Sequence, residues 1–149
     1  MSGSLSMLGT YYYCHKCAVK RQILYPPPTD PLATQYQLGK YLKHTIPDRA
    51  YPVQSVFNTR STQVYENYLV RTLAAGAVEV DAKGRTNVIW VAGTPVGFQL
   101  EQGGRIVLPQ DAVKVVLSSD TGKVHAYSAH STTFTGAKCA DCDRWNVVV

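Results

Sequence analysis

Two Cys-x-x-Cys pairs stand near the two ends of the chain, Cys14-His15-Lys16-Cys17 and Cys139-Ala140-Asp141-Cys142, and they hold all four of its cysteines. A tight turn aims both sulfurs of such a pair the same way, and two turns together make a four-sulfur cage. Roughly 120 residues separate the pairs, where a self-contained zinc ribbon has about 15–20. If the pairs share one ion, nearly the whole chain must fold so that its ends meet. Closing a loop this long removes more unfolded-state entropy than closing a short one, although the dependence is slow.

The redox setting supports a metal. Residues 1–10 lack a basic stretch and a long apolar core, and no apolar run approaches the ~20 residues that span a bilayer. The expectation is a protein that stays in a reducing cytoplasm, where cysteine pairs favour metal over disulfide. Cys14, Cys17, Cys139 and Cys142 are therefore expected to bind one structural zinc. Two disulfides within the pairs, two between them, an iron site with the same ligands, or a metal shared with a symmetry mate remain open. A redox Cys-x-x-Cys normally opens a helix after a strand, and neither motif is expected in that setting.

The motifs resemble the knuckles of rubredoxin-like and zinc-ribbon sites. In those knuckles a glycine often follows the second cysteine; here Ala18 and Asp143 take that place. The resemblance implies a closed site with no open position for water or substrate, hence no catalysis by the metal. His15 is expected to face solvent from the first knuckle, with metal ligation or a bond to sulfur as alternatives. Lys16, Lys138 and Arg144 stand beside the thiolates and are expected to offset the negative charge of the site.

Between the knuckles the chain reads as mainly β: a small sandwich or barrel with one short helix and a zinc knuckle pair joining the two termini. It forms one domain over 1–149, with an N-terminal arm at 1–10, zinc-binding ends at 11–24 and 134–149, and a β core at 63–130. Tyr11–Tyr13 reads as a strand and 18–24 as its return. Pro26, Pro27 and Pro28 stop regular structure. Asp30 as N-cap and Pro31 at the first position open the expected helix, closed near His44 and Pro47. Residues 47–62 read as loop or extended arm. Gln63–Leu73 fits strand or helix by period. Short strands follow at 77–80, 86–91, 97–101, 105–108, 113–117 and 123–129, divided by turns rich in Gly and Asp.

Three classes of function remain. A Ser-His-Asp set drawn from Ser128 or Ser131, His125 or His130, and Asp120 lacks a Gly-x-Ser-x-Gly elbow. No helix follows the Gly103-Gly104 or Gly122-Lys123 turns, so they are not phosphate loops. The chain is thus not expected to be an enzyme or to bind a small-molecule substrate. Nucleic-acid binding is the alternative, through Lys16, Lys20, Arg21, Arg144 and Trp145, although Tyr11–Tyr13 and Trp145 read first as packing around the metal. A net charge of +5 permits a polyanionic partner without requiring one.

The favoured reading is a structural or assembly protein, as a homo-oligomer or within a larger complex, with no membrane partner. Charged residues make up 17% of the chain, below the usual ~25%, as expected where neighbouring subunits cover the surface. Ten tyrosines stand against three Phe and two Trp, and Tyr suits half-buried strands and wet interfaces. Residues 74–130, with short Gly-separated strands and Thr/Ser-rich ends, resemble small β-rich virion proteins of tailed phages. That resemblance implies a head-decoration or tail-assembly role in a bacteriophage particle and carries over no site residue.

Overall fold

The structure is a computed structural model and describes residues 9–23, 54–59, 61–100, 106–117 and 124–149. The helix expected from Asp30, the Pro26–Pro28 stretch and the turns at 101–105 and 118–123 lie outside the described residues. The described strands form two antiparallel sheets, in a small sandwich-like arrangement that does not close into a barrel.

The larger sheet has the order β1 (Tyr11–Tyr13), β3 (Ala77–Val80), β4 (Thr86–Val91), β7 (Ala112–Leu117), β8 (Val124–Ala129). The smaller has the order β2 (Gln54–Phe57), β5 (Gly97–Leu100), β6 (Ile106–Gln110). The β3–β4 hairpin turns where expected. Asp81 Oδ1 accepts the amides of Lys83 and Arg85 at 3.0 and 2.9 Å, and Gly84 takes φ +78°. Pro109 in β6 donates nothing to the ladder and lies on the sheet's edge, where proline is tolerated.

Alternation along the strands gives the large sheet two apolar faces. Val78, Val88, Val113, Val115 and Ala126 line one face. Against it packs α2 (Thr62–Ala75), which resolves the ambiguity over 63–73 as helix. Tyr65, Leu69 and Leu73, spaced by four, are each at most 1% exposed, and that spacing gives one helical stripe. Ser61 caps the helix by accepting the Val64 amide at 3.3 Å. Burying each of the two leucines contributes about 1.5–3 kcal/mol. The helix stops at Gly76, where a Cβ would lie 2.6 Å from Val88 Cγ1.

Phe57 and Val96 bring the small sheet into the same core. The sheets touch closely at Gly97, whose absent Cβ would lie 2.6 Å from Ser128 Oγ. The opposite face carries Ala77 and Ile89, covered by Phe134, Ala137 and Val148 from the C-terminal segment. A 3-10 turn at Ser131–Phe134 begins that segment. Asp111, where the chain passes from β6 to β7, pins the turn by accepting the Ser131 amide and hydroxyl at 2.8 and 2.7 Å.

Two expectations are corrected here. Residues 54–57, read as loop or arm, form β2 against β5. The return strand expected at 18–24 does not form over 18–23, the part of it that is described: His15–Lys20 forms a short helix, α1, ended by turn residues and Gln22 at φ +61°. Among the described residues no helix is long and apolar enough to cross a membrane.

Candidate metal centre

The two ends of the chain meet at the free edge of β1. Cys139 forms a parallel bridge with Tyr12, and the Ala140 amide donates to the Tyr12 carbonyl at 2.8 Å. This pairing sets the second cysteine pair beside the first. The knuckles themselves differ. In the second, the Asp143 amide donates to the Cys139 carbonyl at 3.1 Å, the Cys142 amide reaches Cys139 Sγ at 3.5 Å, and Asp143 takes φ +63°. This left-handed position is the one a knuckle glycine usually fills, and Asp tolerates it. In the first, Cys14 is the N-cap of α1 and Ala18 is helical and buried. Cys14-x-x-Cys17 thus opens a helix after a strand, contrary to expectation. The three apolar tyrosines before it fix the strand, and only six residues, too few to show a period, form the helix.

The four Sγ atoms lie within 4.8 Å of one another. Cys14 Sγ is 3.9 Å from Cys142 Sγ and 4.0 Å from Cys139 Sγ. A tetrahedral cage with metal–sulfur bonds of about 2.3 Å has S–S edges of about 3.8 Å. The geometry can therefore hold a metal ion, and all four thiols are free of disulfides. Cys139 is buried, Cys14 and Cys17 half-buried and Cys142 exposed. Without a cation the thiols compete. The bond to Cys14, then burial and the sulfurs of Cys139 and Cys142, push Cys17 up to about 12. Burial opposes ionisation of Cys139, but backbone hydrogen bonds at Cys142, Cys14 and Asp141 outweigh it and bring Cys139 down to about 6. One thiolate forms readily and the last does not, and a bound cation would remove that difference.

No protein-family model, curated protein or solved structure matches the chain.

Around the cluster the expected roles sort differently. His15 is half-buried, and its Nδ1 contacts the Gly76 carbonyl at 2.9 Å, tying α1 to the end of α2. Arg21 pairs with Asp141 at 2.8 Å and joins the two knuckles by charge. Lys138 pairs with Asp143 at 3.3 Å and lies 5.2 Å over the Trp145 ring. Trp145 is 62% exposed, so it does not pack around the metal as expected. Lys16, Lys20 and Arg144 are exposed.

Among the described residues, the candidate serines do not meet His130. Ser131 Oγ donates to Asp111, His130 Nδ1 meets Thr132 Oγ1 at 2.6 Å, and Ser128 Oγ lies against Gln110 and the Val56 carbonyl. Asp120 and the His125 side chain lie outside the described residues.

Sequence reasoning missed a buried polar group on the sheet face near Tyr12. Glu79, 6% exposed, meets Tyr12, Asn87 and Lys114. Burial and then Glu79 hold the Tyr12 phenol protonated. Burial alone would lower Lys114, but its bond to Glu79 outweighs this and keeps the ammonium above its ordinary range. The signal was present as lone opposite charges inside two apolar strands, Ala-Val-Glu-Val and Ala-Val-Lys-Val-Val-Leu.

Proposed function

We propose that the chain is a non-enzymatic structural protein whose two ends are clipped together by one zinc ion on Cys14, Cys17, Cys139 and Cys142. The observation that carries this reading is the meeting of four sulfurs from opposite ends of the chain within 4.8 Å of one another. Four thiolates suit zinc and leave no position for a substrate, so the ion holds shape. We further read the domain as a subunit of a homo-oligomer or larger assembly, of the head or tail type that the resemblance to tailed-phage virion proteins implies. The low charge and the tyrosine excess support that reading.

Elemental analysis with native mass spectrometry tests it. One zinc per chain in an oligomer of defined size is expected. Metal-free protein that melts unchanged with chelator rejects the clip, and a monomer at all concentrations rejects the assembly.

One observation favours a second reading, a nucleic-acid contact. The Trp145 ring is largely exposed, with Lys138 over one face, and Lys16, Lys20 and Arg144 are exposed. Arg21, engaged with Asp141, is not free to serve it. Binding to single-stranded DNA that weakens steeply with salt and is lost in Trp145→Ala supports this reading; equal binding by the variant sinks it.

A further inference from the structure

Glu79, Asn87 and Lys114 take no part in the metal cluster. They share one face of the large sheet, on β3, β4 and β7. Glu79 sits directly opposite Asn87, and Lys114 opposite Ile89, two residues from Asn87 on the same strand. Lys114 and Asn87 are thus diagonal neighbours on adjacent strands, within reach of a long side chain. Glu79 Oε1 contacts Lys114 Nζ at 2.9 Å and accepts from Asn87 Nδ2 at 3.0 Å. Sharing one oxygen, the two nitrogens are less than about 6 Å apart. The Tyr12 hydroxyl donates to the other oxygen at 2.9 Å and fixes the carboxylate. The side chains of Lys114 and Glu79 are only 17% and 8% exposed, and the rings of Tyr127 and Phe134 lie 5.8 and 6.0 Å from Nζ.

We propose that Lys114 and Asn87 join in an intramolecular isopeptide bond, with Glu79 as the acid–base group. An amine, a carboxamide and a carboxylate that touches both nitrogens are the parts this condensation needs. The ammonium of Lys114 first gives a proton to Glu79 Oε1 along their 2.9 Å contact. This transfer is uphill, because the contact with Glu79 favours the ammonium, and burial lessens its cost by disfavouring charge. The free amine then attacks Asn87 Cγ, forming the Nζ–Cγ bond. As the Cγ–Nδ2 bond breaks, Glu79 gives its proton to the departing nitrogen and takes the second proton from Nζ. Nitrogen leaves as ammonia, which removes the remaining proton from Glu79 as ammonium, so atoms and charge balance without oxidant or cofactor. Holding the reacting groups together replaces an encounter that would otherwise be bimolecular. Tyr12 and Phe134, which contact Glu79 and Lys114, also help to wall an open cleft of about 350 Å³.

The bond would tie β4 to β7 covalently, independently of any metal. The test is the intact mass of the purified, reduced and denatured full chain, with Lys114→Arg as reference. The wild-type chain is expected to be lighter than its sequence mass by one ammonia, about 17 Da, and the variant to carry its full mass. After trypsin, the segment 86–105 is expected to run joined to 106–123, with Lys114 uncleaved. A wild-type chain at full mass overturns the proposal whether or not the variant folds, and so does a loss that persists in Lys114→Arg. Glu79→Gln should leave most of the chain at full mass; complete cross-linking in that variant overturns the role given to Glu79.

Discussion

Stripping the metal, by chelation or by Cys14→Ser, tests the link between the knuckles and the fold. In the folded chain the β1–β3 pairing and the Tyr12–Cys139 bridge already bring the knuckles together. In the unfolded chain one knuckle can hold an ion, but uniting both requires closing the loop between Cys14 and Cys139, 125 positions apart. Loop-closure entropy for a separation of that size is worth about 5 kcal/mol at 25 °C. Metal at saturation therefore favours the folded state by at least about this amount, because it binds that state more tightly. With a urea dependence of about 2 kcal/mol per molar, the unfolding midpoint should fall by about 2–3 M. The assay is urea unfolding followed by circular dichroism, with and without chelator, in reductant throughout. Equal midpoints for loaded, stripped and Cys14→Ser protein would refute the reasoning, as would a stoichiometry of one ion per two chains.

Other outcomes follow from single contacts. Tyr65→Phe keeps the ring but leaves the buried Ala126 amide without the hydroxyl it reaches at 3.0 Å. The cost should be about 1–3 kcal/mol, with faster hydrogen exchange at Ala126. Thr72 is fully buried and its hydroxyl has no partner among the described residues, so Thr72→Val should stabilise by about 1 kcal/mol and raise the melting temperature by about 3 °C. At Asp111 burial works against the charge, but the Ser131 amide and hydroxyl outweigh it and hold the carboxyl below its usual range. The folded pKa is depressed, so this stabilisation is present above the unfolded value of about 3.9 and is lost as pH falls through the folded one. Acid titration of Asp111→Asn should show a shallower loss below pH ~4 than the wild type.

The elements legible in the sequence were those whose signal is local. Glycine, aspartate and proline breaks marked β3 to β8 within a residue or two, because strand ends obey turn chemistry that a few residues specify. The four sulfurs were legible as a set for the same reason: the members of each pair lie close in sequence, at a helix start for Cys14 and Cys17 and in a turn for Cys139 and Cys142. What could not be read depends on contacts between distant residues. Gln-Ser-Val-Phe becomes β2 only because β5 lies beside it. α1 holds six residues and owes its place to packing: Ala18 is buried in the core, and His15 reaches a carbonyl 61 residues away. Arg21 resembled a free cation until the fold set Asp141 beside it. Glu79 and Lys114 stand in the sequence as lone charges in apolar strands, and only the sheet register made them partners.

The meeting of Cys14 with Cys139 and Cys142 also decides how the molecule carries load. Tension applied to chain outside the knuckles would pass from one end to the other through a few metal–sulfur bonds. Apart from β1, which precedes Cys14, the strands and α2 would lie on a slack branch beside that short path. With an ion bound, a domain of this kind would yield first at its clip, and most of its core would feel the pull only after the ion had let go.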